Sequence, residues 1–109
     1  MITYEDFAKV EIRVGEIISV ERVPETDKLL RLMVHFGEEA PRQIVSGIAH
    51  YFTDPSILVG KRTMFVTNLE PRTIRGLESH GMLFALSTPD GEFSLLEPWN
   101  SVPTGTRAK

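Results

Sequence analysis

The chain has 109 residues, 41% hydrophobic and 25% charged, with no cysteine and a formal net charge of −3. This fits one globular domain spanning 1–109 with a core of its own. The lack of cysteine excludes a disulfide framework, a thiolate metal site and a thiol nucleophile. No apolar run approaches the ~20 residues of a membrane span. The opening Met-Ile-Thr-Tyr-Glu-Asp lacks the basic and apolar regions of a signal peptide. The expectation is a cytoplasmic protein that makes no membrane contact.

An acidic total argues against a generic nucleic-acid binder, but the charge is unevenly placed. Residues 1–40 hold five basic and nine acidic groups, whereas residues 41–78 hold five basic (Arg42, Lys61, Arg62, Arg72, Arg75) and three acidic. A cationic face on an acidic body is compatible with that distribution.

Thr3 with Asp6 three residues on predicts a capped helical turn within an N-terminal extension, 1–9, that sets Phe7 against the core. From Val10 the pattern has period two: Val10, Ile12, Val14, Ile18 and Val20 share one face, with an interruption at Gly15-Glu16 where a bulge or bend falls. A long bent first strand suits a small closed barrel, in which one strand serves two sides. Pro24–Asp27 is a turn. Leu30, Leu32, Val34 and Phe36 alternate with Arg31, Met33 and His35 as a second strand. A loop over 37–41 leads to a third strand, Arg42–Ser46. Asp54 as N-cap and Pro55 at the first helical position start a short helix that Gly60 ends. A fourth strand covers Arg62–Thr67, a turn-rich connection runs over 68–76, and Met82–Ser87 forms a fifth strand. Phe93–Leu96 is a short sixth after the turn at Pro89-Asp90-Gly91, and 98–109 is a C-terminal tail that frays at its end.

Five strands with a short helix between the third and fourth define an all-β, five-stranded OB-fold barrel with small terminal extensions. An SH3-like barrel or small sandwich leaves that helix unexplained.

Enzymatic constellations are missing from this pattern. Ser79 beside His80 resembles a nucleophile and base, but triad partners are set by geometry, and strand neighbours point to opposite faces. His35, His50 and His80 have no metal-ligand spacing. Tyr51, Phe52 and Phe65 offer a stacking surface of the OB type, with core packing the expected fate of at least two.

Seven motifs stand in order: Glu11-Ile-Arg-Val-Gly15, Asp27-Lys28-Leu29, Ile44-Val-Ser-Gly-Ile48, Leu58-Val-Gly60, Asn68-Leu-Glu-Pro71, Arg75-Gly76 and Ser79-His-Gly-Met82. Together they resemble the structure-specific tRNA-binding domain family over about residues 4–98. The Asp27–Leu32 stretch with Asp54-Pro55 is most similar to the form appended to bacterial methionyl-tRNA synthetase, or to its separate β subunit. A secretion-chaperone-like branch is less close.

The resemblance implies an OB fold, a homodimer built partly from the terminal segments, and shape-based binding of folded tRNA without chemistry. A methionyl-tRNA synthetase catalytic chain is a candidate partner, and neither a cofactor nor a metal is implied. By match to the family motif, Lys28, Asn68, Arg75, Ser79 and Met82 stand on the RNA-binding face, with Arg31 and Arg72 as neighbours. The family often carries Asp at 11, Lys at 72 and Gln at 80, where this chain has Glu11, Arg72 and His80. The last changes a donor and acceptor set.

Taken without the resemblance, the same residues have plainer readings. Lys28 is a solvated turn lysine, Arg72 and Arg75 pair with Glu70 or Glu78, and Asn68 forms an Asx-turn. Met82 shares parity with Phe84 and Leu86 and reads as core. The alternative function is a chaperone-like, peptide-binding dimer, with Leu29, Met33 and Trp99 as its apolar contacts.

Overall fold

The computed structural model describes all 109 residues. Thr3 caps α1 (Tyr4–Ala8) as expected: its hydroxyl accepts from the Asp6 amide, and the Asp6 carboxylate accepts from the Thr3 amide. Contrary to expectation, α1 buries none of its residues and Phe7 is exposed.

β1 (Ile12–Arg22) is the long bent strand, and its two halves have different neighbours. Ile12–Glu16 pairs with β4 (Arg62–Val66), while Glu16–Arg22 pairs with β2 (Leu30–His35). Gly15 makes the bend possible. A Cβ there would lie 2.6 Å from the side chains of both Phe36 and Val34. The register with β2 slips between Ile17 and Ser19. This bulge corrects the strict alternation: Ile17 turns fully inward and Ile18, expected on the core face, is exposed.

β2 and β3 (Arg42–Ser46) form the expected antiparallel pair. The five-stranded sheet has the order β3-β2-β1-β4-β7, with β7 at Met82–Leu83. The barrel nearly closes where β7 approaches β3, and the His80 amide donates to the Gln43 carbonyl at 2.8 Å. Inside lie Ile17, Leu30, Leu32, Val34, Ile44, Leu58 and Leu83, with Phe36 and Phe65 edge-to-face at 5.3 Å. This is the OB-type barrel.

Four details differ from the sequence reading. The helix between the third and fourth strands is two 3-10 turns, Ala49–Tyr51 and Pro55–Leu58. Asp54 caps the second by accepting from the Ser56 amide at 3.1 Å, but Gly60 leaves no room for an α-helix. Tyr51 stacks on Phe93 at 4.6 Å and Phe52 meets it edge-on, so these rings pack against the core.

The connection over 68–76 conceals a hairpin of β5 (Arg72–Ile74) and β6 (Leu77–Ser79). The expected Met82–Ser87 strand breaks at Phe84, whose amide donates to Met64 O. After the break, β8 (Ala85–Ser87) leaves the barrel and pairs with β9 (Phe93–Leu95).

The tail is tied down rather than frayed. Gly105 N donates to Val14 O at 2.7 Å, Val14 N to Thr106 O at 2.9 Å, and Ala108 N to Ile12 O at 2.8 Å. It thereby covers the edge of β1 that β2 leaves unpaired.

Candidate nucleic-acid interface

The outer surface of β2 and β3 is flanked by two connections: the loop over 23–29, and the β5–β6 hairpin. The hairpin is fastened to β3 by polar groups. Val45 N donates to Ser79 Oγ at 3.0 Å, Gln43 Nε2 donates to Glu78 O at 2.9 Å, and Ser79 Oγ donates to Gly81 O at 3.0 Å. Because β6 runs antiparallel to β3, the hairpin tip extends toward the end of the sheet where Ser46 pairs with Leu30. Lys28 lies just ahead of Leu30, and its carbonyl accepts from the Ala49 amide at 3.0 Å. The tip is Arg75-Gly76, with φ of 51° and 79°. Two successive positive φ values make a type I′ turn, which favours Asn-Gly. An arginine at the first position is strained.

Of the twelve basic side chains, eight make an ion pair or a hydrogen bond within the chain. Lys28, Arg72, Arg75 and Lys109 make neither. Three of these four are on the connections flanking the β2–β3 face, and the expected pairing of Arg72 or Arg75 with Glu70 or Glu78 does not form.

The other candidates differ in kind. Arg31 lies on the face but is engaged, its Nη1 donating to Glu21 at 3.1 Å and its Nε to Gln43 Oε1 at 2.6 Å. Asn68 is a clamp rather than an Asx-turn: its Oδ1 accepts from the Glu11 amide at 2.8 Å and its Nδ2 donates to Lys9 O at 2.7 Å. Ser79 is buried with its hydroxyl fully used, so it holds the base of the hairpin. Met82 is not core. Met82, Phe84 and Leu86 are 45%, 41% and 55% exposed, and the inward residues of this run are Leu83 and Ala85. His80, at the departure from the family pattern, has Nε2 at 3.2 Å from Glu78 Oε1.

Beside the root of the hairpin opens a cleft of about 540 Å³ between Met33, Pro41, Arg42, Gln43, Leu69, Pro71 and His80. Sequence reasoning missed it because four separate segments build it. Only Leu69-Glu-Pro71 and His80, already inside the motifs, hinted at it.

At the barrel end near the chain termini, arginines are used differently. Glu38 accepts from Arg42 through both nitrogens, Nε at 2.9 Å and Nη2 at 2.8 Å, and from Arg13 Nη2 at 3.0 Å. Arg42 Nη1 also donates to Thr67 O at 2.7 Å, and Arg13 Nε pairs with Glu11 at 2.9 Å. Both guanidiniums lie over the Phe36 ring, at 5.5 and 5.3 Å. The hydrogen bonds from Arg42, then those from Arg13, pull the Glu38 carboxyl down to about 2. The Thr67 hydroxyl, aided by Arg13, holds Glu11 below the usual carboxylate range.

A barrel of this order, with a cation-bearing hairpin and loop beside its second and third strands, belongs to the class of OB-type binding modules. The family model described as "Putative tRNA binding domain" matches residues 12–107, and the chain belongs to that family. It is 51% identical over 107 residues to a methionine–tRNA ligase of Methanocorpusculum labreanum, covering 98% of this chain and 15% of the relative. To the methionine–tRNA ligase of Enterococcus faecalis it is 42% identical over 104 residues, 95% of this chain and 16% of the relative. The chain thus spans less than a fifth of these relatives, in which the matching domain is an appended part. Among solved structures it is similar to a MetRS-related protein from Pyrococcus horikoshii, with a TM-score of 0.92 and 38% identity over 100% of this chain and 98% of that one. It is also similar to the chaperone CsaA of Bacillus anthracis, with a TM-score of 0.87 and 28% identity over 100% and 99% of the two chains.

Proposed function

We infer that the chain is a non-catalytic module that binds folded tRNA by shape, as a homodimer, either alone or joined to methionyl-tRNA synthetase. The observation that carries this reading is the placement of the unpaired cations: Lys28, Arg72 and Arg75 on the two connections beside the β2–β3 face. Their ammonium and guanidinium groups contact phosphates at little cost, since no internal ion pair must first be broken. Arg31 joins them by exchanging its exposed partner Glu21. Met82 lies against a ribose or base, while Asn68 and Ser79 keep the connections in place. The dimer forms through the apolar surface of the termini, where Tyr4, Phe7, Val10 and Ala108 line a hollow of about 260 Å³.

The test is a gel shift of the 109-residue chain with folded total tRNA at about 50 and 200 mM salt, over which several phosphate contacts cost orders of magnitude. Heat-denatured tRNA and duplex RNA serve as competitors. The reading expects steeply salt-dependent binding that neither competitor displaces. Binding of an unstructured peptide, insensitive to salt, would instead favour the chaperone-like reading, which the similarity to CsaA and the exposed Trp99 support.

A further inference from the structure

We propose that the cleft at the root of the β5–β6 hairpin is a subsite for one unpaired nucleobase, held mainly by its faces against apolar side chains. The proposal rests on the tRNA-binding reading and names which part of the RNA enters the cleft. Its volume of about 540 Å³ suits a small planar group, and its walls are the flat or pliable apolar surfaces of Met33, Pro41, Leu69 and Pro71.

Most polar groups along the cleft are already engaged within the chain. Gln43 accepts from Arg31 and donates to Glu78 O. Arg42 is spent on Glu38, Thr67 O and His80 O. The His80 amide donates to Gln43 O and its ring faces Glu78. A base in this cleft therefore finds apolar surface to lie on, while most polar groups around it are turned to partners within the chain.

The charge favours a nucleotide as occupant. Arg42 in the wall is balanced by Glu38, but Arg72, which has no partner within the chain, follows Pro71 directly on the same connection. Met33 is five residues along from Lys28, roughly 17 Å at strand rise, so phosphates held near Lys28 and Arg75 leave a splayed base to reach the cleft. Bases in a duplex are stacked and out of reach, whereas those in loops swing free. The subsite would thus give a surface of few cations a preference for folded tRNA over duplex RNA.

The experiment measures affinity for folded total tRNA and for a fully paired RNA duplex, using the wild-type chain, Met33→Ala and Leu69→Ala. Leu69 is exposed, so its variant keeps the test valid if Met33→Ala fails to fold, as thermal melts would reveal. The expected result is about a 3- to 30-fold loss on folded tRNA, with an unchanged salt slope and unchanged duplex binding. Equal losses on both RNAs, a reduced salt slope, or wild-type affinity in the folded variant overturns the subsite. If the wild-type chain itself does not bind folded tRNA, the tRNA-binding reading falls as well.

Discussion

Arginine serves opposite purposes at the two ends of this barrel. Near the termini, Arg13 and Arg42 converge on Glu38 and lie over Phe36, and their donors are consumed within the protein. At the other end, Arg72 and Arg75 have no internal partner. The first pair fastens the barrel and adds little attraction for an outside anion, because its charge is balanced. The second pair contributes little to stability and leaves its charge available. Net charge says little about binding because it sums these two populations. An acidic protein can therefore carry a cationic face.

Removing Glu38 gives the largest expected break in this contrast. Glu38→Gln leaves two guanidiniums without their shared carboxylate and costs roughly 2 kcal/mol, read as a fall of about 10 °C in Tm. The same variant should bind folded tRNA with near wild-type affinity at temperatures where it is folded. Arg72→Ala with Arg75→Ala should do the reverse. The affinity falls on the order of tenfold or more, the slope of log affinity against log salt drops by about 2, and Tm stays within a degree or two. A large loss of Tm there would mean that these arginines are structural after all.

Acid titration sharpens the comparison further. The Glu38 carboxyl is lowered from the usual 4.5 to about 2, so its contribution is complete above about 4.5 and is lost as pH falls toward 2. The side chain is about a third exposed, so solvent screening limits this to on the order of 1–2 kcal/mol. Denaturant melts of the wild-type chain should show that loss between pH 4.5 and 2, and Glu38→Gln should show much less of it. The smallest effect is the most specific. Arg75→Asn places the preferred residue in the type I′ turn and should stabilise the chain by up to about 1 kcal/mol, while still weakening tRNA binding. A variant that is more stable and binds less would show that the turn's strain is tolerated for the sake of the charge.

β2 was legible because it buries alternate residues throughout, whereas β3 and β4, which each bury two neighbours in a row, were delimited by the turn residues that flank them. Three features escaped for physical reasons. The bulge at Ile18 is a backbone event with no sequence mark, since isoleucine serves either face. The β5–β6 hairpin was hidden by Arg75, which occupies a position where asparagine would have signalled the turn. The docked tail is held mainly by main-chain bonds to Ile12 and Val14, which leave no periodic trace. In the candidate site, Lys28 and Arg75 were named by motif and Arg72 as their neighbour, but their freedom was not legible, because it depends on which carboxylates come near after folding. Met82 was misjudged without the motif, because the run Met82, Phe84 and Leu86 keeps one parity but faces outward, leaving Leu83 and Ala85 inside.

The tail has one more consequence. Arg107 donates to the carbonyls of Ala8 and Val10, and Asn68 grips Lys9 and Glu11, so both ends of the chain are lashed to one corner. That corner adjoins the start of β1, whereas Lys28 lies past its far end, where Arg22 pairs with Leu30. A polypeptide joined at either end therefore takes hold of the same handle. The full length of the first strand then separates that grip from the end of the sheet where Lys28 lies.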